Sequence, residues 1–458
     1  MRLLSVVAVL VLVGVSSCSE DTISLQIKSQ NHEKSKFDHI AGQTASLETD
    51  SDAFKWPNIY GPEYNSVSRE PILGLDFDQL SNLKRVWDAP AGKGYSAPVV
   101  QGGKIFMISR FDKREKIEAR HAETGKPLWS YDYPTKYECS FEYSNGPYST
   151  PVINHDKIIA VSAQGVFHCL NVDTGALLWR RDLLKEYQVE LKEWPVTTSP
   201  IVYRNQIIFN LGAVERSAGI IALDIETGTT IWESTQEDFY HASPVIATIH
   251  NRELLFVMTD SGLFCLNPNN GKVYWNIDHR LRQEDRYNAV SPVVFDDMVC
   301  VVTGPSVKPG FRCLKVKEDG SFQEPWKNIR LLNSQYTNLV VVEGFLFGFT
   351  PVKQGGPELA CIDIKKGELA WKAKPGVGRG SLLGVGKHLL ILGEDGDLVI
   401  AELNGFRYQE VFKSAEPVLN KPCYTSMALC DGLLYARNEE QIVCLSLRKS
   451  DYGTVINP

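Results

Sequence analysis

Tyr95, Tyr148, His241, Tyr336 and Tyr424 share one slot in a recurring pattern. Each stands three residues ahead of a proline, or of the residue that replaces it, where a strand begins. Rings held in register offer flat apolar faces with hydroxyl or ring-nitrogen edges. Such a set binds ligands rather than breaking bonds, and it suits a flat or extended partner: a sugar, a peptide or a quinone. The same slot holds Thr197, Ala289 and Gly378 in other units, and Arg379 follows Gly378. The alternative is that these side chains simply pack the tops of the units and plug the space between them. Sequence motifs for bond-making chemistry are missing, with no His-Glu-x-x-His, Gly-x-Ser-x-Gly or Gly-x-x-x-x-Gly-Lys-Ser/Thr. Gly376-Val377-Gly378-Arg379-Gly380 is glycine-rich, but a phosphate cradle needs a following helix, and here a strand follows. It reads as a loop between units. His121, His155, His168, His241, His279 and His388 lie in different units without metal-ligand spacing, and each is expected on a loop or a strand surface. No catalytic, cofactor or metal residue is assigned.

A repeat must position that slot. The phrases AETGKPLW, VDTGALLW, IETGTTIW, PNNGKVYW and IKKGELAW end at Trp129, Trp179, Trp232, Trp275 and Trp371, and looser copies end at Trp326 and Phe412. Each is a strand, a glycine turn and a second strand, following two strands entered through Ser-Pro or its relatives. All-strand repeats of this length cover their apolar faces only by stacking on one another and closing. The last unit, from Thr425 to Arg448, has three strands and no Gly-turn-Trp strand, whereas LKRVWDAP near Trp87 has no opening strand of its own. The expected fold is all-β: an eight-bladed propeller of four-stranded blades, closed by the N-terminal strand completing the last blade.

The remaining features bound location and partners. Arg2, the apolar run Leu3 to Val13 and Val15-Ser16-Ser17-Cys18 read as an export signal ending in a bacterial lipobox, with Cys18 as the acylated residue. The expected organisation is a signal peptide at 1–17, a polar tether at 18–55, a propeller at 56–448 with a lead-in at 56–82, and a tail at 449–458. The chain is expected to be lipid-anchored in the cell envelope, more readily on the periplasmic side of the outer membrane than on the inner membrane. A net charge of −7 with scattered basic residues argues against nucleic acid. The charged run Arg110 to Lys116 is expected to face solvent, where it has the means to dock an acidic partner. Among ten cysteines, Cys169, Cys265 and Cys361 alternate with Ala119 and Ala222 six residues before the turn glycine, which marks a small buried site. Cys300 and Cys313, or Cys423 and Cys430, have spacings open to a disulfide.

The repeated phrase in an eightfold array resembles the pyrroloquinoline-quinone (PQQ) repeat family of β-propellers, over about residues 56–448. The opening WPNIYGPEYNSVSRE (56–70) looks like that of exported members. The resemblance implies one of two things: a quinoprotein dehydrogenase using PQQ and Ca²⁺, or a non-enzymatic propeller like the lipoprotein of the outer-membrane β-barrel assembly machinery. Family dehydrogenases carry adjacent cysteines against the quinone, and this chain has no Cys-Cys pair and no motif assigning the Ca²⁺ set. The reading is therefore a monomeric, non-catalytic platform for an envelope protein or ligand. A PQQ/Ca²⁺ dehydrogenase and a carbohydrate-binding propeller are the alternatives.

Overall fold

The computed structural model of the chain describes residues 54–452, apart from 71–76, 78–81, 142, 192–193, 240, 281–288, 304–309, 329–330, 333, 335–336 and 351–355. Cys18 and Tyr336 lie outside the described residues.

Among the described residues eight sheets follow one another along the chain, seven of four antiparallel strands and one of five that adds a parallel strand. Blade 1 runs outward from Val99–Gln101 through Lys104–Phe111 and Arg114–His121 to Pro127–Pro134. Blades 2 to 7 repeat this order, and blade 7 begins at Gly380–Val385. Blade 8 takes Ala428–Cys430, Leu433–Arg437 and Gln441–Ser446 from the end of the chain and Arg85–Pro90 from its start. The pairing Trp87↔Cys444, Asp88↔Val443 and Ala89↔Ile442 closes the ring as expected.

The recurring tryptophan has a mechanical reason. The ladder slips one residue just before it in blade after blade, for example between Leu177 and Trp179 or between Ala119 and Arg120 opposite Trp129. Such a bulge re-aims the side chain, here onto the next blade. Trp129 Nε1 donates to Val172 O (3.0 Å), Trp179 to Ile225 O (2.9 Å) and Trp371 to Asn404 O (2.8 Å). The next blade's turn glycine meets the indole: a Cβ on Gly175 would stand 2.5 Å from Trp129, and one on Gly228 would stand 2.8 Å from Trp179. The small Ala/Cys slot lies directly opposite each tryptophan, as in Cys265↔Trp275 and Cys361↔Trp371, and its members are fully buried.

The residue before each proline ties neighbouring inner strands together. Ala97 N donates to Thr150 Oγ1, Thr150 N to Ser199 Oγ, Ser199 N to Ser243 Oγ and Ser243 N to Ser291 Oγ, each at 2.9 Å. Proline has no N–H, so a hydroxyl one residue earlier supplies the link between blades.

At the closing seam Arg437 is fully buried, and its recorded hydrogen bonds among the described residues go to carbonyls and a hydroxyl rather than to a carboxylate. Its guanidinium donates to the carbonyls of Gly94 (3.2 Å), Ser96 (3.4 Å) and Ile108 (3.3 Å) and to Ser109 Oγ (3.0 Å). It also donates to Gly92 O (2.5 Å) and, from Nε, to the neighbouring Asn438 O (3.1 Å), so most acceptors of this chain-end charge come from blade 1 or its entry loop.

The structure corrects two sequence expectations and decides between the two open cysteine pairs. The run Arg110 to Lys116 is a tight hairpin, not a solvated loop, and only Asp112 to Arg114 are exposed. Arg110 is buried, bonding Tyr137 O, Asn145 O and Glu138, while Glu115 is buried against Tyr133 Oη (2.8 Å). His168, His279 and His388 are buried rather than on strand surfaces. The His168 ring stacks on Tyr133 at 4.1 Å. Of the two cysteine pairs, Cys300–Cys313 forms a disulfide between directly opposed strand residues, whereas Cys423 and Cys430 are free.

Candidate functional site

The loops entering the inner strands form one mouth of the central channel, and the slot residues meet there. Tyr95 packs against Tyr148 (ring centroids 4.7 Å) and meets Tyr424 edge-on (5.5 Å). Arg379 lies over Tyr424 (5.9 Å) and is held by Glu394, its Nε donating to Oε2 (3.2 Å) and its backbone N–H to Oε1 (3.3 Å). Arg379, rather than Gly378, lines the cavity. Across the mouth, His241 Nδ1 hydrogen-bonds Thr197 Oγ1 (2.7 Å). Burial lowers the His241 pKa to about 4, so the imidazole is neutral at physiological pH. Burial raises Tyr95, Tyr148 and Tyr424, so their hydroxyls keep their protons as hydrogen-bond donors.

Residues outside the slot complete the wall. Trp194, in the loop between blades 2 and 3, stacks on Phe141 (5.2 Å), touches Tyr143 (5.1 Å) and meets His241 edge-on (6.2 Å). Phe141, Tyr143 and Tyr424 are all exposed to solvent, between 42 and 46%. Sequence reasoning missed Phe141, Tyr143 and Trp194 because inter-blade inserts have no repeat register. Their one signal is aromatic richness in otherwise polar loops.

The channel is closed from the other end by the lead-in, which no repeat pattern predicts. Trp56 exchanges backbone hydrogen bonds with Val100, Pro57 O accepts from Ile153 N, and Tyr64 Oη donates to Val202 O. Val67–Ser68 then pairs in parallel with Gly384–Val385, making the fifth strand of blade 7. Ile59 and Tyr60 of this strap reach up to floor the mouth, and Tyr60 Oη meets Ser291 Oγ at 3.0 Å. The strap therefore turns a channel into a blind cavity of about 210 Å³. A larger groove of about 750 Å³ between blades 4 and 5 is an open surface crossed by the Lys315–Asp297 ion pair, and it gathers no comparable set of rings.

Among the described residues the donor set does not fit PQQ with Ca²⁺. Calcium takes six to eight oxygen ligands, several of them carboxylate. No three His, Cys, Asp or Glu groups gather to hold a metal among the described residues. The described lining carries one charged side chain, Arg379, already engaged by Glu394. A tricarboxylate quinone finds no free set of cations there.

Comparison with known proteins places this architecture. A PQQ-repeat family model described as outer membrane protein assembly factor BamB matches residues 113–373, more than half of the chain. The dehydrogenase subunit of the quinone alcohol dehydrogenase of Gluconobacter oxydans is 24% identical over 185 residues, 38% of this chain and 24% of that protein. Polyvinylalcohol dehydrogenase of a Pseudomonas species is 23% identical over 216 residues, 41% of this chain and 31% of that protein. The chain thus spans about a quarter to a third of the length of these relatives. Among solved structures, BamB from Moraxella catarrhalis superposes with a TM-score of 0.56 at 14% identity, covering 80% of this chain and 97% of that one. Quinohemoprotein alcohol dehydrogenase from Comamonas testosteroni does so at 0.61 and 13%, covering 90% and 82%. At these identities the structural likeness is one of fold.

Proposed function

Because the chain belongs to the PQQ-repeat β-propeller family, with a BamB-like propeller fold, we propose that it is a non-catalytic binding platform of the cell envelope. One observation carries this reading: the mouth is a blind, aromatic-walled cavity whose described lining offers neither a metal set nor an acid–base pair. Rigid blades hold loops whose exposed rings present contact area at small entropic cost. The family description supports a role in outer-membrane protein assembly as the finer form of the proposal. In that form Cys18 carries the lipid and residues 18–55 let the propeller reach its partner as a monomer.

Purified protein supplied with PQQ and Ca²⁺ is assayed with an artificial electron acceptor against alcohols and aldoses. The platform reading expects no turnover above a protein-free control. Sustained substrate oxidation by the chain ends it.

A further inference from the structure

Ser381 stands at the head of blade 7, 7% exposed, and lines the mouth with no hydrogen-bond partner for its Oγ. A hydroxyl left unpaired in a buried site carries the full cost of its desolvation. Ser381 lies on the cavity wall with its Oγ itself shielded from solvent, so a ligand supplies the missing partner only after the side chain rotates toward it. Around it, Ser243, Ser426, Thr197, Thr337 and Asn338 also line the mouth, giving polar groups beneath walls of tyrosine and tryptophan.

Charge narrows the ligand class. An anion needs a free cation, but the Arg379 guanidinium donates its Nε to Glu394, whose other oxygen accepts the Arg379 backbone N–H. A quaternary ammonium would suit an aromatic cage, but here it would meet Arg379 over Tyr424 and find no carboxylate among the described lining residues. His241 is neutral at physiological pH. What remains is an uncharged ligand with one flat apolar face and many hydroxyls. The cavity of about 210 Å³ falls below the ~300–1,000 Å³ of sites for drug-sized molecules, which sets the scale at a single ring entering from the end of a chain.

We propose that the mouth binds the terminal pyranose of a neutral glycan, stacked against the Tyr95–Tyr148 pair and hydrogen-bonded to Ser381. This deepens the platform reading and rests on it, naming the ligand that the platform holds. The pyranose C–H face covers tyrosine, and its hydroxyls face Ser381 and the other polar groups of the lining.

The test uses the full-length purified chain on an array of neutral gluco-, galacto- and N-acetylglucosamine oligosaccharides, followed by calorimetry on the best probe. Choline chloride, inorganic phosphate and a proline-rich peptide serve as competitors. Saturable binding is expected, unchanged between 0.05 and 0.5 M NaCl, at least tenfold weaker in Tyr148→Ala and several-fold weaker in Ser381→Ala. The distant control Phe406→Ala keeps the comparison sound, and unchanged melting temperatures separate binding loss from unfolding. Absence of binding to every neutral saccharide overturns the proposal, as does affinity indifferent to both Tyr148→Ala and Ser381→Ala, or displacement by choline, phosphate or the peptide. Failure here with mouth-dependent crosslinks retained in cells sinks the glycan alone, whereas quinone-dependent turnover sinks the platform as well.

Discussion

Gly125 of blade 1 lies so close against the indole of Trp87 that a Cβ there would stand 2.7 Å from Cδ2. Trp87 belongs to the N-terminal strand of blade 8, and its Nε1 donates to Ala122 O at 2.7 Å. The glycine–indole contact that Trp129, Trp179, Trp232 and Trp326 make with the following blade is thus made once more between the two ends of the chain, where it seals the circle.

Gly125→Ala is expected to destabilise by about 2–4 kcal/mol, combining overpacking with a side chain at φ +67°. Trp87→Ala leaves the seam empty at a cost of about 3–5 kcal/mol. Denaturant unfolding checks both. Losses no larger than those of Gly103→Ala, where nothing stands within 4 Å, contradict the seam's importance.

Arg437→Leu strands the carbonyls of Gly94, Ser96 and Ile108 and is expected to cost about 3–5 kcal/mol. Arg437→Lys keeps a charge but lacks the planar fork, so it recovers only part of that loss. A lysine variant as stable as the parent contradicts the clamp.

Burial holds His168 and His279 down to about 3, and His241 and His388 down to about 4, against 6.5 when exposed. Between pH 6.5 and those values the unfolded chain binds protons that the folded chain refuses. Stability therefore falls as pH falls, by up to about 1.4 kcal/mol per pH unit for each histidine. Glu70 and Glu115, whose carboxyls burial raises, oppose this near the acid end. Unfolding midpoints at pH 7.5, 6.0 and 5.0 should drop in sequence, and less steeply in His168→Phe. A flat profile contradicts the prediction.

The Cys300–Cys313 bridge closes a short loop, with a sequence separation of 13. Replacing both cysteines by alanine is expected to lower stability by about 2–4 kcal/mol under oxidising conditions and by much less relative to the reduced parent. Equal stability of parent and variant under oxidising conditions argues against a bridge.

The ring was legible because tryptophan, turn glycine and the small Ala/Cys slot keep fixed spacing within each unit. The reason for that spacing was not, since Trp129 acts on Val172 and Gly175 of the following unit, and a local pattern carries no pointer across blades. Registered residues of the mouth, Tyr95, Tyr148, His241 and Tyr424, come together as the repeat implied. Trp194 and the strap at Tyr60 escaped because their partners are set by closure of the ring, not by sequence neighbours. Arg110 and Glu115 look solvated by residue type, yet the groups that satisfy them, Tyr137 O and Tyr133 Oη, come from outside that hairpin.

The most direct test places a photo-crosslinking amino acid at Tyr424, on the mouth, or at Phe406, 91% exposed in a turn on the opposite face, in living cells. The account predicts discrete adducts from position 424 that Tyr95→Ala and Tyr148→Ala together abolish, and none that depend on those residues from position 406. Adducts from 406 alone, or a pattern at 424 indifferent to the tyrosines, would contradict the mouth as the working surface of this propeller.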